Sequence, residues 1–103
     1  MLNENIKVLR LNLSNFSDSK IKAFCDISYY GLKIKGFKVV DNNDGLFVGM
    51  PREKGKDEKW YNTIEPNDLQ TKMELEQVIL KAYKDYISFK KEGGDINANN
   101  STS

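Results

Sequence analysis

The stretch KIKAFCDISYYGLKIKGFKVV, Lys20 to Val40, decides the fold. In its first half Ile21, Ala23, Cys25, Ile27 and Tyr29 recur at every second position, with Lys20, Lys22, Phe24, Asp26, Ser28 and Tyr30 between them. Side chains alternate across a strand, so a period of two sets an apolar face against a polar one. A helix would scatter the same residues around its circumference. Gly31 interrupts the run. Beyond it Leu32 and Ile34 alternate with Lys33 and Lys35, until Gly36 shifts the phase to Phe37, Val39 and Val40. A glycine at such a slip marks a bulge. Two alternating runs joined across Gly31 predict an antiparallel hairpin.

On the N-terminal side, IKVLRLNL (Ile6 to Leu13) is a further strand. Its apolar phase slips between Val8 and Leu9, which predicts a bulge or burial on both faces. NFSDS, residues 15–19, is a loop. On the C-terminal side, Asn42-Asn43-Asp44-Gly45 is a turn of residues that tolerate left-handed backbone, so Leu46 to Met50 returns as a strand. Pro51 has no N–H for a ladder and ends it. REKGKDEK, Arg52 to Lys59, is predicted as a polar loop, and Trp60 to Ile64 as a short strand closed by Glu65-Pro66-Asn67.

A helix follows. Thr71-Lys72-Met73-Glu74 fits a capping box. Leu75, Val78, Ile79, Ala82 and Tyr86 form one helical stripe; Met73, Leu80, Tyr83 and Ile87 form a second beside it. The combined arc is wider than one small sheet covers, so a second copy is expected on the remainder. Glu92-Gly93-Gly94 stops the helix, and the Asn/Ser/Gly-rich tail is predicted to be disordered. The fold class is therefore α+β: a small antiparallel β-sheet of four to five strands with a long C-terminal helix. It forms one domain over residues 1–92, with residues 93–103 as the tail.

The chain has 103 residues, net charge +1, no histidine and one cysteine, Cys25. A cysteine in an alternating apolar run is a small core residue, and no histidine stands ready to activate it. Intrachain disulfides and Cys/His zinc sites are excluded. No apolar run approaches the ~20 residues of a membrane span, and the polar start MLNENIKVLR is not a signal peptide, so a cytoplasmic location is expected. With no Ser-His or Cys-His arrangement and no phosphate-binding glycine loop, neither catalysis nor a cofactor is expected.

Charge is distributed unevenly. Between Lys20 and Val40 five lysines face one acid, Asp26, and Lys20 and Lys22 share a strand face with Phe24 and Tyr30. Cations interleaved with aromatics suit phosphates and stacked bases. The same lysines equally suit a solvated sheet face that resists edge pairing. Arg52, Lys54, Lys56 and Lys59 outnumber Glu53, Asp57 and Glu58 by one, a mixed-sign pattern also found in ordinary soluble loops. Lys81 and Asp85, four apart, are placed to pair.

KVVDNNDGLFVGMP, Lys38 to Pro51, resembles the signature of the stage V sporulation protein G (SpoVG) family of septation regulators. There a hydrophobic–Asp–turn segment leads into Gly-Leu-Phe-Val-small-Met-Pro. The likeness extends from Ile6 to Tyr86. The charged loop has the family's length, Trp60 stands at an aromatic position, and Pro66 falls where a His-Pro pair usually lies. The helix start at Thr71 and the run Leu80 to Tyr83 also match. The resemblance implies a bacterial regulator, dimeric by sheet extension or helix exchange, that binds specific DNA sites and also RNA. It implies nucleic-acid contacts from the loop after Met-Pro and from the helix. Lys54 occupies a basic position of the family; Arg52 replaces a small polar residue, Glu53 a lysine, Tyr61 an arginine and Glu65 the histidine before Pro66. The turn between Tyr29 and Leu32 is one residue shorter.

The expected nucleic-acid-binding residues are Arg52, Lys54, Lys56, Lys59 and Lys72, and the expected dimer interface is Leu80, Tyr83 and Ile87. The competing reading is a protein-interaction module that uses sheet edges and the helix and binds no nucleic acid.

Overall fold

The computed structural model of the chain describes residues 3–14 and 20–91. The loop expected at residues 15–19, the Glu92-Gly93-Gly94 stop and the tail from residue 93 lie outside them.

Four strands run as an antiparallel meander: β1 (Ile6–Leu13), β2 (Ile21–Tyr29), β3 (Leu32–Asn42) and β4 (Gly45–Gly49), in the order β1-β2-β3-β4. Each bulge expected from a phase slip is present. The β1–β2 register shifts between Val8 and Arg10, which turns Leu9 outward to 52% exposure. The β2–β3 register shifts between Cys25 and Ile27, opposite Gly36. Gly36 has φ +99, a backbone conformation that calls for glycine, and it packs beside the Pro51 ring, 3.4 Å from where a Cβ would stand. Tyr30 (φ 50) and Gly31 (φ 88) form the two-residue turn between Tyr29 and Leu32, with the doubly positive φ that matches strand twist. The second hairpin closes at the pair Asn42–Gly45, with the Asn42 side chain accepting from the Asp44 N–H at 2.9 Å.

Two expectations need correction. The stretch from Arg52 is not merely a loop: β5 (Arg52–Lys54) pairs antiparallel with β6 (Trp60–Asn62) in a separate two-stranded sheet. Only the residues between them form the turn, and β6 ends two residues before Ile64. The helix α1 (Leu69–Lys91) starts before Thr71. Its cap is Asp68, whose Oδ1 accepts the Thr71 N–H at 2.7 Å and whose carboxyl is held below its usual pKa by that bond. Glu74 does not reach back to a cap. It accepts from Asn3 at 3.3 Å and from Gln70 at 3.3 Å, joining the N-terminal segment to the helix.

The core lies between the sheet and α1. Ala23, Cys25 and Ile27 of β2, Phe37 and Val39 of β3 and Val48 of β4 meet Leu75, Val78 and Ile79 of the helix, with Ile6 of β1. Ala23, Cys25, Ile27, Phe37 and Val39 hold the alternate positions read from the sequence, whereas Ile21, expected inward with them, lies beyond a further register shift between Ile21 and Ala23 and joins the face away from the helix. Burying this apolar surface is the main favourable term in folding. The opposite sheet face is left uncovered by the helix.

Candidate nucleic-acid interface

The site begins where Pro51 ends the β4 ladder. Pro51 is buried, and its carbonyl accepts from the Thr63 N–H (2.9 Å) and from Thr63 Oγ1 (3.2 Å). These bonds clamp the two ends of the β5–β6 ribbon together. At the far end the Gly55 N–H donates to the Lys59 carbonyl (2.8 Å) and the Glu58 N–H to the Gly55 carbonyl (3.0 Å). The Tyr61 hydroxyl donates to Asp57, whose other carboxylate oxygen accepts the Lys59 N–H at 3.0 Å. The Tyr61 bond pulls the Asp57 carboxyl below its usual range, and the same bond raises the Tyr61 hydroxyl. The Tyr61 ring fills the space a side chain at residue 55 would need.

Strand alternation then sorts the ribbon's charge. The register pairs Arg52 with Asn62, Glu53 with Tyr61 and Lys54 with Trp60. Arg52, Lys54 and Trp60 share one face; Glu53 and Tyr61 share the other. The Arg52 guanidinium lies 5.8 Å from the centre of the Trp60 ring, within cation–π range. Lys54 also reaches Glu58 at 3.5 Å, but both groups are well exposed and the pair adds little.

The cationic face of the ribbon borders the uncovered face of the main sheet. Between them lies a groove of about 380 Å³ lined by Ile21, Val40, Phe47, Met50 and Trp60, with Gly49, Lys38 and Arg52 completing it. No acid lines it. Trp60 is 57% exposed and Phe47 40%. Phe24, 44% exposed, continues the face from β2, where it pairs in register with Lys38.

Of the residues expected to bind nucleic acid, Arg52 and Lys54 stand together on the ribbon. Lys56 occupies its turn and Lys59 precedes β6; both are exposed. Lys72 is exposed on the first turn of α1, the element that packs on the other side of the sheet. Phe47 and the groove have no counterpart in the residues expected from the sequence, and Lys38 is there only as one of five clustered lysines. A signal was available: with Val39 and Val48 in the core, Val40 and Phe47 are apolar residues on a face that should be polar. Of the expected dimer residues, Leu80 and Tyr83 pack partly against the core, and Ile87 lies one turn beyond Tyr83. Burial, with Asp41 nearby, raises the Tyr83 hydroxyl.

The SpoVG family model matches residues 2–85. Similar chains include those of Symbiobacterium thermophilum (33% identical over 67 residues, 64% of this chain and 48% of the relative) and Myxococcus xanthus (31% over 71 residues, 68% and 72%). Another is found in Bdellovibrio bacteriovorus (28% over 80 residues, 77% and 74%). Each carries the SpoVG name with a septation-protein label. The match spans about half the length of the Symbiobacterium relative.

Proposed function

We propose that this chain, which belongs to the SpoVG family, is a dimeric regulator that binds DNA, and RNA as a second ligand, in the cytoplasm. It works by binding rather than catalysis. The observation that carries the reading is the sorting of charge on the β5–β6 ribbon: Arg52 and Lys54 lie with Trp60 on one face and Glu53 on the other. Arg52 offers a bidentate fork to a guanine edge or a phosphate, and Lys54, Lys56 and Lys59 fix position along the backbone. Septation in the relatives' names agrees with a regulatory role.

A second copy would double the ribbons facing one nucleic acid. Half-buried Ile87, one turn beyond Tyr83 on the same helix stripe, supplies apolar surface near the end of α1 for that contact. Leu80 and Tyr83 extend it toward the core.

The test is a gel shift with arbitrary and selected duplexes over a range of salt. Replacing Arg52, Lys54 and Lys56 together by alanine should weaken binding. It should also make the slope of log K against log salt shallower by about 2–3, roughly one for each lost phosphate contact. Binding that is indifferent to salt would favour the protein-interaction reading, and an unchanged triple variant would remove the ribbon from the interface.

A further inference from the structure

We propose that the groove between the ribbon and the uncovered sheet face takes an unpaired nucleobase, so that the protein prefers single-stranded to double-stranded nucleic acid. This rests on the nucleic-acid reading above and adds a separate element to it.

The argument starts from what the groove lacks. Backbone-only binding of a duplex needs cations on a polar surface. Here the cations Lys38 and Arg52 stand beside an apolar lining of Val40, Phe47, Met50 and Trp60, with no acid among the described lining residues. A paired base shows only its edges and cannot offer its flat face to such a lining. An unpaired base can. Its ring stacks on an aromatic while its phosphate meets the cation beside it, the combination that single-strand sites share. The groove volume of about 380 Å³ lies within the range of small-ligand pockets, about 300–1,000 Å³. The indole holds Arg52 over its ring yet keeps 57% of its surface in solvent. Phe24 extends the platform: it pairs in register with Lys38, which lines the groove, and lies two strands, on the order of 10 Å, from β4. Four antiparallel strands with exposed aromatics on the open face and a helix on the other are a workable scaffold for splayed bases.

Charge complementarity commits the groove to a polyanion rather than to an apolar peptide. Gly49 provides an independent handle. A Cβ there would meet Lys38 and Val40 only at 3.7 and 3.8 Å, ordinary contacts, so Gly49→Ala narrows the groove without a clash.

Trp60 is the chain's single tryptophan, so its emission reports on the groove directly. The full chain is titrated with a thymine or uracil homo-oligomer of about eight nucleotides, and with a duplex of equal length, following both fluorescence and anisotropy. The single strand should quench Trp60, protect it from acrylamide and bind roughly tenfold more tightly than the duplex. Phe47→Ala and Gly49→Ala should each reduce that preference, with folding checked by circular dichroism. Salt-sensitive binding of both ligands with equal affinity and unaltered Trp60 emission overturns the groove proposal and leaves the ribbon reading standing. No binding of either ligand at low salt overturns both. Emission that shifts with protein concentration alone, and is then insensitive to oligonucleotide, gives the groove to a second copy and overturns the proposal.

Discussion

Cys25 shows how one residue carries the consequences of its place in a strand. It falls on the inward phase of β2, is buried, and faces residues that offer its sulfur no cation. Burial, with a smaller contribution from the charge of Asp26, pushes its thiol from the ordinary 9.0 up to about 12. Two outcomes are expected. The native protein should resist a thiol reagent at neutral pH and react once unfolded. Stability should also fall as pH rises from about 9 toward about 12, because there the unfolded chain gives up the thiol proton while the folded chain keeps it. The slope from this group is at most about 1.4 kcal/mol per pH unit. Comparing denaturant unfolding of the wild type with Cys25→Ala across that range isolates it from lysine and tyrosine. Equal alkaline slopes would show that the thiol is not desolvated. The role of Cys25 was legible in the sequence, since its neighbours at every second position are apolar. The role of Gly36 was legible only in part: the phase slip announced a bulge, but Pro51, whose ring it faces, is 15 positions away.

Among the elements, the meander was readable because each long strand repeats its alternation several times. The ribbon was legible only in its second strand. The three residues of β5 are all charged and show no periodicity to detect, and their pairing with β6 depends on the Pro51–Thr63 bonds and on the Asp57–Tyr61 contact across the turn. The start of the helix was misplaced for a related reason. Thr71 and Glu74 have the spacing of a capping box, but Asp68 is also an excellent cap and begins the helix earlier. Sequence spacing alone does not rank two valid caps. The structure does, and the ranking can be checked. Asp68→Ala should lower the thermal midpoint and the far-ultraviolet helix signal, Asp68→Asn should restore most of both, and Thr71→Ala should have the smaller effect. Acidification should act in the same direction as Asp68→Ala. The depressed carboxyl stabilises the fold above the ordinary pKa of 3.8, and that contribution is lost as pH falls through the folded-state value. A larger loss from Thr71→Ala than from Asp68→Ala would return the cap to Thr71.

At the scale of the whole molecule, the sheet separates two tasks. One face buries the helix and holds the core; the other, with the ribbon, is left for a ligand. The sequence showed the first face through its alternation and the cations of the second through their clustering. The groove could not be read, because it exists only where the ribbon comes beside Val40 and Phe47. The helix itself is divided along its length. Leu75, Val78 and Ile79 are core, Leu80 and Tyr83 are its margin, and Ile87 and Phe89 lie beyond it. Truncations should therefore separate folding from assembly. Leu80→Ala removes partly buried contacts and should cost about 1–2 kcal/mol of stability as well as weakening self-association. Ile87→Ala should leave the unfolding midpoint of the dilute protein nearly unchanged and raise the dimer dissociation constant. Sedimentation equilibrium, paired with denaturant unfolding at low concentration, reads both quantities for each variant. If Ile87→Ala loses stability in proportion to Leu80→Ala while self-association is untouched, the end of the helix belongs to the fold alone. A dimer would then have to form through the exposed edges of β1 or β4, setting the two ribbons at a different spacing on the nucleic acid.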